Sequence, residues 1–584
     1  MRTELVWKVG GQQGEGIDST GIVFLNVCHS LGYHTFGYRH FMSRIKGGHT
    51  NYQVRVATRP VYAVGDQTDI LIAFDQESID YNFWELPSGA FVIADGFGAK
   101  LPEERGVTLA EVPLTKIASD LGNSLMKNMV AMGATCELTG LPVEPFEKFV
   151  ERQFSRKGDE VVKANLEALE AGRKYVRERW GQQAHFKLED SGSTSDGRLV
   201  IEGDYAAGMG ALAAGCRFLS AYPITPASMI MEWLAVHFPK VGGVVIQAED
   251  EIAALCMAIG ANWAGARAMT STSGPGYSLM QEAIGLSGLT ETPVVIVDVQ
   301  RAGPATGLPT KHEQGDLNEI IYGSHGDIPR IVIAPGTIEE CFYALAEAFN
   351  LADKHQCPVI VAMDLYLGMS RGTTPEFDLD RVHIDRGALL SGADALAKVK
   401  GQFERFENTP SGISPRVLPG TAGFIHLTTG DEHQFDGRIT EDPKIRKAIM
   451  DKRLRKIDEV DYPGLSVRGS LPADIVLVGF GATTGALWEA ADRLNADGTR
   501  AAVVQMTRLW PFPAEELSAA LDGAGSVLVV ESNATAQLAH LIRSRIGGDL
   551  LPTLLKYDGD PIRPGEVEMR AKEVIADVSG ARIA

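Results

Sequence analysis

The chain has 584 residues, of which 45% are hydrophobic and 22% charged, and its formal net charge is −20. This composition is typical of a globular protein with several hydrophobic cores, so it excludes a disordered or fibrous chain. The negative charge disfavours nucleic acid and anionic membranes as partners, because like charges repel. The sequence contains no signal peptide and no apolar stretch that could span a bilayer, and we expect a cytoplasmic protein.

Short β-branched runs alternate with Ala- and Leu-rich stretches along most of the chain, which predicts an α/β fold with buried parallel sheets. We predict three α/β units, at residues 1–186, 198–371 and 471–584. A linker rich in Ser, Gly and Asp, residues 187–197, follows the first unit. Residues 372–470 have few strand signals, and we predict an extended connection that carries a basic helix on its surface.

Glycine-rich turns follow strands in the first and last units. The turn at residues 10–16 has the wrong spacing for a dinucleotide site, and Glu15 would repel a pyrophosphate there. The turn at residues 479–485 has no acidic residue at the expected ribose position, where Thr499 and Arg500 stand. A tight strand-to-helix turn explains both glycine runs. A dinucleotide-dependent dehydrogenase is therefore disfavoured.

The six cysteines are scattered, and none lies within four residues of another. No C-x-x-C signature exists, so we expect no iron–sulfur cluster and no metal site in this chain.

A loop braced by two prolines follows a predicted strand of the middle unit. It reads Tyr222-Pro223-Ile224-Thr225-Pro226. Each proline restricts its own backbone and favours extended geometry in the residue before it. The Thr225 hydroxyl is therefore expected in a stiff loop, although prolines that simply end a strand explain the pattern equally well.

An acidic cluster, Glu249-Asp250-Glu251, lies between a predicted strand and a predicted helix. The carboxyl ends of parallel strands form the usual ligand crevice of an open α/β sheet. Helix capping explains one or two of these acids, and three acids less well.

Two more strand ends complete the predicted site. One predicted strand ends in a turn rich in hydroxyl groups and glycine at residues 272–276, around Gly274, and residues 300–311 contain Arg301 and Lys311. A carboxylate, a hydroxyl and a guanidinium on one edge suit a heterocyclic cofactor and an anionic substrate.

Together these motifs resemble the α subunit of the 2-oxoacid:ferredoxin oxidoreductases. The matching stretches are YPITP at 222–226, QAEDE at 247–251, TSTSGPGYSLM at 270–280 and QRAGPATGLPTK at 300–311. The first unit is similar to the γ domain of that family, and the last unit to its transketolase-C-terminal-like domain. A γ domain ahead of the α region, together with KHEQGDL at 311–317, most resembles the 2-oxoglutarate type. Ala305 stands where the family often has Ser.

The resemblance implies a thiamine diphosphate pyrimidine-binding domain in the middle unit. Glu251, preferred over Glu249 by its spacing to Gly260, would be the acid that activates the cofactor. Thr225 and Arg301 would hold the C1 carboxylate of the substrate. Further implied contacts are Tyr222, Pro223, Ile224 and Gly274 for the cofactor, Lys311 for the substrate, and Arg44 and Lys46 for coenzyme A phosphates. A solvated basic turn explains Arg44 and Lys46 at least as well.

The chain lacks the G-D-G and N-N signature that holds Mg²⁺ and the pyrophosphate of thiamine diphosphate. The resemblance therefore implies a separate β subunit that supplies Mg²⁺ and a [4Fe–4S] cluster, in an (αβ)₂ heterotetramer. The expected reaction is reversible oxidative decarboxylation of a 2-oxo acid to acyl-CoA and CO₂, with electrons passed to ferredoxin. The alternatives are a family member acting on pyruvate or another 2-oxo acid, a transketolase-like half-enzyme, and a non-catalytic binding subunit.

Overall fold

The computed structural model describes residues 1–43, 47–181, 186–399 and 403–583. The chain divides into two compact units. The first comprises Met1–Ile201, Met369–Glu376 and Arg563–Gly565, and the second comprises Glu202–Gly368, Phe377–Ile562 and the chain from Glu566 onward. None of the helices in the described ranges combines the length and the hydropathy that a membrane span requires.

The strands and helices follow one another in three stretches of the chain. Up to residue 202 they are β1 (Glu4–Gln12), α1 (Ile17–Ser30), β2 (His34–His40), β3 (His49–Ala57), β4 (Ile70–Ala73), α2 (Gln76–Asn82), β5 (Phe91–Ala94), β6 (Thr108–Glu111), α3 (Leu114–Asp120), α4 (Lys127–Thr139), α5 (Glu144–Phe154), α6 (Asp159–Trp180) and β7 (Arg198–Glu202). Up to residue 375 they are α7 (Gly203–Ala213), β8 (Cys216–Ala221), α8 (Ser228–His237), β9 (Val244–Gln247), α9 (Glu251–Trp263), β10 (Arg267–Thr272), α10 (Gly274–Leu279), α11 (Gln281–Leu289), β11 (Val294–Gln300), α12 (Leu317–Tyr322), β12 (Ile331–Ile333), α13 (Ile338–His355), β13 (Pro358–Asp364), α14 (Leu365–Met369) and β14 (Arg371–Pro375). The last stretch contains α15 (Gly392–Lys398), α16 (Pro443–Arg455), β15 (Leu465–Arg468), β16 (Ile475–Gly479), α17 (Thr483–Ala496), β17 (Ala501–Met506), β18 (Arg508–Trp510), α18 (Ala514–Leu521), β19 (Val527–Glu531), α19 (Gln537–Ile546), β20 (Thr553–Leu555) and α20 (Pro564–Ile583).

The first unit contains an eight-stranded sheet in the order β6-β5-β4-β1-β3-β2-β14-β7. Strands β1, β4, β5 and β6 are parallel, whereas β3 is antiparallel to both β1 and β2. The expectation of parallel sheets is therefore wrong for β2, β3 and β14 of this sheet. The connection from β2 to β3 is too short for the helical crossover that a parallel pair needs.

The second unit contains two sheets, in the orders β18-β12-β13-β11-β10-β8-β9 and β15-β17-β16-β19-β20. Neighbouring strands are parallel except at the pairs β12–β18 and β15–β17. One hydrophobic core includes Leu255 and Val294 from the middle of the chain and Val504 from its last third. The α/β fold class is confirmed, and the middle and last α/β regions form one unit because they share this core.

The basic run near residue 450 differs from the prediction of a surface helix. Lys452 and Arg453 on α16, and Lys456 just after it, are at most 2% exposed. Lys452 Nζ lies 2.6 Å from a carboxylate oxygen of the fully buried Glu291, and Lys456 Nζ lies 2.5 Å from the other oxygen. Exposed charges on α16 include Lys447 and its partner Asp451. The two lysines are buried because the buried Glu291 pairs with them, and Arg453 pairs with the partly buried Glu432. Composition alone does not reveal such partners.

Candidate active site

The predicted site lies at one edge of the seven-stranded sheet. Strands β11, β10, β8 and β9 are neighbours and run parallel. The segments after their carboxyl ends therefore share one edge of the sheet. These segments are the loop after Ala221, the acidic cluster, the turn after Thr272 and the loop that begins at Arg301.

The three acids of the cluster have different positions. Asp250 caps α9, because its side chain accepts a hydrogen bond from the backbone N–H of Ala253 at 2.7 Å. Glu249 is exposed. Glu251 is 6% exposed, and in the described part of the chain its carboxyl group has no hydrogen-bond or ion-pair partner. Only Glu251 therefore combines burial with free capacity for a ligand.

A turn with two glycines, Gly274-Pro275-Gly276, lies between the carboxyl groups of Glu251 and Asp316. A methyl group added at Gly276 would lie 2.6 Å from Glu251 Oε1, and one added at Gly274 would lie 2.6 Å from Asp316 Oδ2. Such distances are far inside van der Waals contact. Both carboxyl groups therefore pack directly on the backbone of this turn, which needs glycine at the two positions.

Arg301 joins two of the strand ends. Its Nη1 donates a hydrogen bond to the backbone carbonyl oxygen of Thr225 at 2.8 Å. The side chain is 8% exposed, and its Nε is buried without a partner among the described residues. Burial lowers the pKa of Arg301 and the nearby Asp316 raises it, and arginine stays charged at neutral pH. The structure thus brings Thr225 and Arg301 together and leaves one buried donor for a ligand.

Asp298 lies on β11, where it pairs in register with Thr272 of β10. It is fully buried, and neither of its oxygens has a hydrogen-bond partner in the described ranges. Burial, followed by the charges of Asp316 and Glu319, raises the pKa of Asp298 well above its usual range. Burial therefore favours the protonated form of this carboxyl group.

Asp316 lies just before α12. Its backbone N–H donates to Gln300 Oε1 at 3.1 Å, and its Oδ2 is buried without a partner among the described residues. Burial raises the pKa of Asp316 to about 7, aided by Glu319 and Glu313 and opposed by Arg301. The sequence reasoning did not select Asp298 or Asp316. In the sequence, Asp298 is recognisable only as a single acid within an apolar strand. Asp316 is recognisable only as an acid at the start of a helix.

Lys311 lies at the end of the same loop, but its ammonium group has another neighbour. Lys311 Nζ is 3.6 Å from Asp560 Oδ1. His312 is buried, its Nδ1 is 3.5 Å from Asp364 Oδ1, and burial lowers the pKa of its imidazole. Gln314 donates to Asp364 at 3.0 Å and to the backbone carbonyl of Phe480 at 2.9 Å. The segment after Lys311 is thus bound to the last α/β region.

The remaining predicted residues are less informative. Tyr222 is 41% exposed, and Pro223 and Ile224 are partly buried in the loop that leads to Thr225. Arg44 and Lys46 lie outside the described residues, so their contact with coenzyme A stays a prediction.

Three family models match consecutive parts of the chain. The model of pyruvate ferredoxin/flavodoxin oxidoreductase matches residues 6–175. The thiamine diphosphate-binding model of pyruvate flavodoxin/ferredoxin oxidoreductase matches residues 209–451, which include every strand end of the site. Core domain II of pyruvate:ferredoxin oxidoreductase matches residues 473–567.

Similar proteins extend over nearly the whole chain. The chain is 32% identical to subunit alpha of 2-oxoacid:ferredoxin oxidoreductase 2 from Aeropyrum pernix, with 97% of each chain covered. It is 31% identical to the 2-oxoglutarate oxidoreductase subunit KorA from Mycobacterium tuberculosis, over 93% of this chain and 87% of that one. A solved structure of 2-oxoglutarate:ferredoxin oxidoreductase from Magnetococcus marinus, with 2-oxoglutarate, coenzyme A and succinyl-CoA bound, has 34% identity and a TM-score of 0.92 over 98% of this chain and 100% of that one.

The matched thiamine diphosphate-binding region and the α/β fold define a subunit of a thiamine diphosphate-dependent oxidoreductase. The chain belongs to the 2-oxoacid:ferredoxin oxidoreductase family, as an α subunit with a γ-like N-terminal region. The resemblance inferred from the four motifs is confirmed.

Proposed function

We propose that this chain is the α subunit of a 2-oxoglutarate:ferredoxin oxidoreductase. The reaction converts 2-oxoglutarate and coenzyme A to succinyl-CoA and CO₂, and two electrons pass singly to ferredoxin. The contact of Arg301 with Thr225 carries this proposal, because it presents a buried guanidinium donor at the edge that also holds Glu251. The relatives from Mycobacterium tuberculosis and Magnetococcus marinus, both named for 2-oxoglutarate, support this substrate.

The residues at this edge fit thiamine diphosphate. Glu251 offers a buried carboxyl group without a protein partner in the described residues, and Gly276 keeps the space beside it free of a side chain. Glu251 would share a proton with N1′ of the pyrimidine ring, which favours the tautomer that can accept a proton from the thiazolium carbon. When bound, the cofactor supplies the nucleophilic carbon and the electron sink for decarboxylation.

Arg301 and Thr225 would hold the C1 carboxylate of the 2-oxo acid. A guanidinium group binds a carboxylate through charge-assisted hydrogen bonds, and Arg301 Nε is the buried donor that remains for this role. The hydrogen bond to Thr225 fixes the guanidinium orientation before the substrate arrives, which lowers the entropic cost of binding.

An exposed apolar face near the site supports docking of a β subunit. Strand β9 is the last strand of its sheet, and its residues are largely accessible. The loop after β8, strand β9 and helices α9 and α10 carry large apolar side chains that are exposed by more than a third: Tyr222, Val244, Ile252, Met257, Trp263 and Leu279. Exposed strand edges and apolar patches are typical of binding surfaces. The β subunit would cover this face and contribute Mg²⁺, the pyrophosphate site and a [4Fe–4S] cluster, in an (αβ)₂ assembly.

The remaining assignments follow from the same proposal. Arg44 and Lys46 would contact coenzyme A. Lys311 would bind the substrate only if its ammonium group moved away from Asp560. The complex would work in the cytoplasm. The division at residues 1–186, 187–197, 198–371, 372–470 and 471–584 remains our domain prediction.

The test is an assay of the purified αβ complex with 2-oxoglutarate, pyruvate and indolepyruvate. We expect dye or ferredoxin reduction that depends on coenzyme A, with the highest kcat/KM for 2-oxoglutarate. Equal rates with all three acids would contradict the 2-oxoglutarate assignment.

Two matched variants test the role of Glu251. Glu251→Gln should lower kcat by about 100-fold or more, because an amide cannot supply the proton. Glu249→Gln, a change of the same size at the exposed acid nearby, should retain near wild-type activity. Near wild-type turnover in Glu251→Gln would reject Glu251 as the activating acid.

A further inference from the structure

We infer that Asp316 is a positioning residue of the 2-oxo-acid site, and that its carboxylate takes up a proton when an anionic carboxylate binds to Arg301. This inference rests on the proposed function, because it needs Arg301 as the substrate anchor. Asp316 lies in the KHEQGDL stretch at 311–317, for which the resemblance implied no role of this acid.

The position of Asp316 supports this role. Its Oδ2 is packed on the Gly274 backbone and has no hydrogen-bond partner among the described residues. Its backbone N–H is held by Gln300, the residue that precedes Arg301. The carboxyl group is therefore fixed beside the turn, where its charge interacts with that of Arg301, and one of its oxygens can carry a proton without breaking a protein hydrogen bond.

The charges around Asp316 come from three directions. Arg301 is the cation that favours its ionised form. Glu319 on α12 and Glu313 in the preceding loop oppose ionisation, and burial opposes it more strongly. Asp298, on β11, is fully buried, and its burial, followed by the charges of Asp316 and Glu319, raises its pKa. The Gly274–Leu279 helix contributes no charged side chain.

Substrate binding changes this balance in one direction. A carboxylate on Arg301 offsets the positive charge that keeps Asp316 ionised, and it adds a negative charge nearby. The pKa of Asp316, about 7 without substrate, must therefore rise when the anion binds. By linkage, a group whose pKa rises on binding takes up protons, so the anion binds more weakly as pH rises above 7.

The experiment uses the purified αβ complex and glutarate, a dicarboxylate without the reactive carbonyl group. The measured quantity is the inhibition constant of glutarate against 2-oxoglutarate between pH 6 and 9. In the wild type this constant should rise above pH 7, by at most about tenfold per pH unit for a single proton. Calorimetry in buffers of different ionisation enthalpy should record proton uptake on glutarate binding.

Two variants separate the inference from a purely structural role. Asp316→Asn should remove the proton uptake and flatten the pH profile of the inhibition constant. Glu319→Gln should shift the rise to lower pH, because it removes a negative charge that favours protonated Asp316. This second variant keeps the test decisive if Asp316→Asn fails to fold.

The outcomes distinguish this inference from the proposed function. If glutarate inhibits through Arg301 but wild type and Asp316→Asn have the same pH profile, the role of Asp316 is wrong and the proposed function stands. An unchanged profile in Glu319→Gln would also overturn the inference. If glutarate does not inhibit, or if Arg301→Met leaves its inhibition constant unchanged, the substrate anchor itself is wrong, and both proposals fail.

Discussion

Arg301 donates a hydrogen bond from Nη1 to the backbone carbonyl oxygen of Thr225, 2.8 Å away. The acceptor belongs to the backbone, so this contact does not need the threonine hydroxyl group. The guanidinium therefore depends on the path of the proline-braced loop, and its buried Nε remains for a ligand.

This relationship predicts unequal effects of two substitutions. Arg301→Met should lower kcat/KM of the αβ complex by about 100-fold, since a hydrogen bond from a charged group contributes about 1.5–3 kcal/mol. Thr225→Val preserves the carbonyl acceptor and should lower kcat/KM by less than about tenfold, which is the loss of one neutral hydrogen bond. Steady-state kinetics measures both values. Losses of equal size would show that the hydroxyl is as important as the guanidinium.

The packing of Glu251 on Gly276 predicts a steric effect on the cofactor site. An alanine methyl group at residue 276 would clash with Thr272 Oγ1 and would lie 2.6 Å from Glu251 Oε1, so both side chains must move. Gly276→Ala should weaken thiamine diphosphate binding to the αβ complex by about 5- to 150-fold, because overpacking costs about 1–3 kcal/mol. Gly260→Ala is the control, because Gly260 lies on the same helix as Glu251. Apart from the neighbouring backbone of that helix, nothing lies within 4 Å of the added methyl group. Equal affinities of the two variants would contradict the packing argument.

The buried acid Glu291 predicts a strong dependence of stability on one carboxylate. Burial opposes its ionisation, but Lys456, Lys452 and Arg405 lower its pKa to about 2. Glu291→Gln leaves these cations without their acid and should lower the free energy of unfolding by about 3–5 kcal/mol. Lys452→Met should cost less, because burial has already lowered the pKa of this lysine to about 7 and Lys456 still pairs with Glu291.

Urea denaturation is the suitable measurement, since urea does not screen charges. Lys447→Met is the control: it removes an exposed lysine of the same helix, paired with Asp451, and exposed pairs contribute only about 0–1 kcal/mol. A smaller loss in Glu291→Gln than in Lys452→Met would contradict the prediction.

A buried acid in the first unit predicts a dependence of stability on pH. Glu85 pairs with Lys8 and Arg563, and although burial opposes ionisation, these cations lower the pKa of Glu85 from 4.5 to about 2. The unfolded chain then binds the proton more readily than the folded chain. The stabilisation is complete above pH 4.5 and is lost as pH falls toward 2.

The measurement is the difference in free energy of unfolding between wild type and Glu85→Gln, followed from pH 6 to pH 2. It should shrink below pH 4.5. Glu103→Gln, at an exposed acid that pairs with Arg105, should give a difference near zero throughout. A difference that stays constant from pH 6 to pH 2 would refute the role of the Glu85 pairs.

Much of the candidate site could be predicted because its residues follow strands of one sheet. Parallel strands place their carboxyl ends together, so the sequence alone predicts Thr225, Glu251, Gly274 and Arg301 at one edge. The family resemblance also implied Glu251 rather than Glu249, through its spacing to Gly260. The structure adds a physical basis for that preference: burial of Glu251 and exposure of Glu249.

Other features depend on contacts between residues far apart in the chain. Lys311 was expected to face the substrate, and its neighbour Asp560 lies 249 positions later (560 − 311). The basic run near residue 450 was expected at the surface, and its partner Glu291 lies 161 positions earlier. Periodicity and composition describe local preferences and contain no information about such partners.

The sequence by itself determined the α/β class, the family and the strand ends that carry the site, because motifs and hydrophobic patterns are local properties of the chain. The tertiary structure decided which charges are buried, which carboxyl groups pack on the glycine turn, and that the charges of Asp316 and Arg301 interact. These properties depend on the low dielectric and the close packing that arise when distant segments meet. An acid that appears in the sequence as a helix-start residue, Asp316, thereby becomes a group with a pKa of about 7 at the candidate substrate site.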